Sequence, residues 1–111
     1  MFEVIYYKEN DHAPVVEFIS KRSPKEQAKI LREIDLLEEF GLSLGMPHIR
    51  KITNYELWEL RIKFGTNIFR ILFKEMEGNF VLLHGFQKKT NKIPKREINT
   101  ALRRLEKYLK R

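Results

Sequence analysis

The chain has 111 residues, no cysteine, and 22 Lys and Arg against 15 Asp and Glu, for a net charge of +7. That length holds one domain, so residues 1–111 read as a single unit. The missing cysteine excludes disulfides, thiolate catalysis and cysteine zinc sites. No apolar run nears the roughly 20 residues that a membrane helix needs.

The opening MFEVIYYKEND lacks the charged-then-apolar layout of a signal peptide, and the expectation is a cytoplasmic protein. Charge is unevenly placed. Residues 1–55 carry 8 basic and 9 acidic side chains, whereas residues 56–111 carry 14 and 6. A one-sided excess of this kind favours phosphate polymers, with a simple solubility device as the plain alternative.

In chain order, FEVIYY (2–7) is β-branched and aromatic and predicts a first strand. Asp11 is placed to cap a short helix through Val15, Val16, Phe18 and Ile19. SPKE (23–26) then starts a longer helix, with Ser23 as N-cap, Pro24 in the first turn and Glu26 completing a capping box. Gly41 is its natural stop. Residues 41–54 are Gly- and Pro-punctuated connection with a short extended piece near 48–52.

Three strands follow. In YELWELRIKF, Trp58, Leu60, Ile62 and Phe64 alternate with Glu59, Arg61 and Lys63; NIFRILF sets Phe69, Ile71 and Phe73 against Arg70. NFVLLHGF is apolar throughout, as in a central strand buried on both sides. Glycine-bearing turns at FGTN and EMEGN make these an antiparallel meander. Pro94 opens a last helix with Ile98, Leu102, Leu105 and Leu109 on one stripe. The expected fold is α+β, in the order β-α-α-β-β-β-α, a small mostly antiparallel sheet with its helices packed on one face.

The meander brings cations together. A Gly65-Thr66 loop sets Arg61 opposite Arg70; a Thr66-Asn67 loop sets Lys63 there instead. Like charges directly opposite are destabilising, so either both groups reach for one anion or a carboxylate such as Glu59 sits between them. Lys88, Lys89 and Lys92 end the third strand beside Arg70, and Arg96 follows on the last helix. Phe86 has two readings, a stacking platform for a base or a core residue at a strand end.

Only two Asp are present and the three His lack ligand spacing, so neither a metal nor any other cofactor is expected. Cations alone can cut RNA, because the 2′-hydroxyl is a built-in nucleophile. Arginines would clamp the charged transition state, and lysines with depressed pKa would exchange protons. That division makes Arg61, Arg70, Lys88 and Lys89 the catalytic candidates, with Lys63, Phe86, Lys92 and Arg96 as RNA contacts.

The stretches LWELRIKFGTNIFRILF and VLLHGFQKKTNKIPKREINTALRR resemble the RelE/ParE superfamily of bacterial toxins, in its phage-derived HigB-like branch. The resemblance implies a type II toxin acting as a ribosome-dependent mRNA interferase, a metal-independent endoribonuclease. It also implies a cognate HigA-like helix-turn-helix antitoxin. By residue, Arg70 matches the strand arginine that stabilises the phosphate, Lys88 and Lys89 the basic residues after the last strand, and Arg61 the arginine of ELR. The alternatives are a ParE-like inhibitor of DNA gyrase and a non-catalytic RNA-binding relative.

Overall fold

The computed structural model describes residues 2–88, 90 and 92–111. The order is β1 (Glu3–Tyr6), α1 (Pro14–Ser20), α2 (Pro24–Phe40), a 3-10 turn (Gly41–Leu44), β2 (Ile49–Lys51), β3 (Trp58–Phe64), β4 (Asn67–Met76), β5 (Asn79–Gln87) and α3 (Lys95–Lys110).

Local chemistry sets most boundaries. The capping box of α2 is complete: Ser23 Oγ accepts from the Glu26 amide at 3.2 Å, and Glu26 Oε1 accepts from the Ser23 amide at 3.0 Å. Asp11 does not cap α1, whose N-cap is Ala13; Pro14 alone sets the first turn. The β3–β4 hairpin uses Gly65-Thr66, with Phe64 opposite Asn67. The β4–β5 loop, Glu77-Gly78, has φ of 52° and 85°, the paired positive values of a type I′ turn.

The five strands form one mixed sheet in the order β1-β5-β4-β3-β2. β1 lies parallel to β5, and the other neighbours are antiparallel. The α+β architecture is as expected, with one correction: the helices do not share a face. Phe80 and Leu82 of β5 enter a core with Val15 and Ile19 of α1 and Ile30, Ile34 and Leu37 of α2. Val81 and Leu83 enter a second core with Ile98, Ala101 and Leu105 of α3. A strand apolar on both faces needs cover on both, and α3 provides the second layer.

A bulge adjusts the α3 side. Leu72 pairs with His84 and Phe73 with Leu82, leaving Leu83 without a rung. Leu83 therefore packs in the second core while His84 reaches Glu97 of α3. On the other face, Gly85 is bare for a reason: a Cβ there would lie 2.6 Å from Phe18 Cδ2 of α1.

Candidate nucleic-acid interface

Since Leu60, Ile62, Phe69 and Ile71 all enter the α1/α2 core, the alternating residues Glu59, Arg61, Lys63 and Arg70 belong to the α3 side of the sheet. Cross-strand pairing then writes out that face in rungs. Arg61 stands opposite Arg70, and Arg70 opposite Phe86. Lys63 stands opposite Ile68, whose carbonyl accepts from the Lys88 amide at 3.3 Å. Arg50 of β2 stands opposite Glu59.

The repulsion between Arg61 and Arg70 is answered by Glu59. Its Oε2 lies 2.7 Å from Arg70 Nε, both side chains being 1% exposed, and its Oε1 accepts from Arg50 Nη2 at 3.0 Å. This corrects one expectation directly: Arg70 does not offer its guanidinium to an open face. Burial lowers its pKa, Glu59 opposes that shift, and Arg61 and Arg50 add to it. A guanidinium nevertheless stays protonated in a protein. Arg70 Nη1 and Arg61 Nε are buried without a hydrogen-bond partner among the described residues.

The remaining candidates divide. Arg61 and Lys88 are half-buried and Lys63 is exposed, so three cations accompany Arg70 on adjoining rungs. Phe86 is 7% exposed, packs in the second core and stacks on His84 with centroids 5.4 Å apart. It is a core residue, and no base can lie on it in this conformation. Lys92 is exposed and lines a separate pocket of about 350 Å³ with Arg50, Lys51, Tyr55 and Ile98. Arg96 is exposed on the first turn of α3, with Nε 3.7 Å from Glu97. Lys89 lies outside the described residues.

Arg50 and Lys51 were missed as candidates because they sit in what reads as connection. Their signal was the extended IRK stretch, which forms β2 and adds cations to the sheet edge. His84 proves to be a tie between layers. Its Nε2 donates to Glu97 Oε1 at 2.7 Å, while Arg104 Nη1 donates to its Nδ1 at 3.2 Å and to the Leu83 carbonyl at 3.0 Å. Burial lowers the His84 pKa, the Glu97 hydrogen bond opposes this, and Arg104 reinforces it. The neutral ring suits its partners, since only that form both donates and accepts.

No helix among the described residues is long and apolar enough to cross a membrane. No curated protein matches the chain. A family model described as phage derived protein Gp49-like matches residues 17–106, which covers α2, β2 to β5 and most of α1 and α3. The chain belongs to this Gp49-like phage-derived family, a RelE-like toxin family.

Proposed function

We propose that this protein is the toxin of a type II toxin–antitoxin pair and cuts mRNA on the ribosome, as a metal-independent endoribonuclease of the HigB-like kind. The observation that carries the reading is the set of adjoining rungs holding Arg61, Lys63, Arg70 and Lys88 on one sheet face, at the strand end that leads into Lys89. Strands about 4.8 Å apart put the backbones at Lys63 and Lys88 roughly 10 Å apart. Long side chains from both can meet one phosphate between them.

In this scheme the RNA 2′-oxygen attacks the adjacent phosphorus and the 5′-oxygen leaves. Arg61 balances charge on the phosphorane, and the pair Lys88 and Lys89 serves the proton transfer to the leaving 5′-oxygen. Arg70 acts as a positioning residue: it fixes Glu59, and the paired carboxylate in turn holds Arg50 at the rim of the face. Family membership suggests an antitoxin partner, and a HigA-like helix-turn-helix protein is the partner proposed. It would silence the toxin by covering these cations.

The test is cleavage of a short mRNA in a translating extract with Lys89→Arg and wild-type protein. Charge is kept and proton exchange lost, so cleavage should slow by about 100-fold or more while RNA affinity holds. Equal rates would reduce Lys89 to an electrostatic contact. A supercoiling defect without RNA cleavage would support gyrase inhibition instead.

A further inference from the structure

A pocket of about 310 Å³ opens at the edge of β3, lined by Lys29 and Glu33 of α2, Pro47, His48, Arg61 and Lys63. β2 pairs with residues 58–60 of β3, and beyond Arg61 the β3 edge has no ladder partner among the described residues. The Arg61 amide donates to the His48 carbonyl at 2.8 Å, which anchors the histidine at that edge.

Glu33 is 4% exposed, and a buried carboxylate is costly unless paired. Its partners are His48 Nδ1 at 2.9 Å and Lys29 Nζ at 3.5 Å. A carboxylate only accepts, so Nδ1 carries the hydrogen, and Nε2 is the nitrogen left to take up a proton in the neutral ring. The other histidines differ. His84 spends both ring nitrogens on Glu97 and Arg104, and His12 pairs with Glu17 on an exposed surface. His48, 38% exposed, combines a buried carboxylate partner, a second nitrogen unbonded among the described residues, and a setting of Lys29, Arg61 and Lys63.

We propose that this pocket receives a phosphodiester of the RNA and that His48 Nε2 takes the proton of the attacking 2′-hydroxyl. This deepens the RNA-cleaving reading above and rests on it. As the O2′–P bond forms and the P–O5′ bond breaks, the 2′ proton moves to His48. The 5′-oxygen takes a proton from a lysine ammonium of the pair that serves it above, and both groups reset through solvent. The products are a 2′,3′-cyclic phosphate and a 5′-hydroxyl, with no water or oxidant consumed. An imidazole nitrogen can take up and release a proton, whereas the neighbouring Arg61 guanidinium cannot. Glu33 is a positioning residue, fixing the tautomer.

Two measurements decide the matter. Inorganic phosphate is titrated into wild-type protein while the His48 ring signals are followed by NMR; saturable shifts at His48, absent from His12, are expected. No shift at His48 overturns the pocket. Cleavage of a short mRNA on translating ribosomes is then compared for wild type and His48→Gln, each checked by circular dichroism. A kcat loss of about 100-fold or more at unchanged RNA affinity is expected. A folded His48→Gln that cleaves at the wild-type rate overturns the proton role. If wild type cuts no RNA while phosphate still shifts His48, the cleavage reading and the proton role fall and the anion pocket stands.

Discussion

Arg70 and Glu59 lie on adjacent strands with Nε and Oε2 2.7 Å apart, and neither side chain is more than 1% exposed. The pair converts a repelling Arg61–Arg70 rung into a buried ion pair, with Arg50 as a third, half-exposed member. Breaking such a pair is far more costly than replacing it whole. Arg70→Ala should therefore lose about 3–5 kcal/mol of stability, while Arg70→Met combined with Glu59→Leu should recover most of it. Urea unfolding of the single and double variants checks this; equal losses would show that lost packing, and not an orphaned charge, sets the cost.

Acid should loosen α3. The His84 pKa is lowered from 6.5 in the folded state, by burial first, with Glu97 opposing and Arg104 and Arg103 reinforcing. Above 6.5 the ring is neutral in both states and contributes no slope. Below it the unfolded chain gains a proton that the folded chain resists, so stability falls with pH. Comparing unfolding midpoints at about pH 7.5 and about pH 5.5 should show a smaller drop for His84→Gln than for wild type.

The bare position in β5 is a packing requirement. A Cβ at residue 85 meets Phe18 Cδ2 at 2.6 Å and Cγ at 3.0 Å, too near the ring's attachment for a simple swing. Gly85→Ala should cost about 1–3 kcal/mol, read as a lowered melting temperature. Trimming the ring in the double variant Gly85→Ala, Phe18→Leu should restore part of the loss.

RNA affinity should report the rungs through salt. Lys63 is exposed and Lys88 half-buried, so neither is needed for the core. Lys63→Gln and Lys88→Gln should each weaken single-stranded RNA binding and reduce the log–log salt slope by about 0.7. An unchanged slope in both would remove these lysines from the contact surface.

The strands and the α2 capping box were legible because each rests on neighbours in sequence: alternation and a Ser–Glu spacing. The glycine turn narrowed the β3–β4 hairpin to two registers, and the structure selects the one that sets Arg61 against Arg70. What could not be read was which way long-range pieces fold over. The apolar run of β5 demanded cover on both faces, yet its partner on the second face, α3, is fixed only by packing. The fate of Arg70 hung on the same point. Glu59 was visible as a possible neighbour, but whether water reached the pair depended on what lay above it. His48 and Glu33 are 15 residues apart, and no periodicity links a loop histidine to a helix carboxylate.

The most direct test of the account is to induce the protein in growing bacteria and map transcript 5′ ends, with wild type beside Arg61→Ala. Arg61 is half-buried and has no carboxylate partner among the described residues, so its loss should leave the fold intact. New 5′ ends within coding regions that vanish in the variant are the predicted result. The same ends from a folded Arg61→Ala protein, or no new ends from wild type, would contradict it.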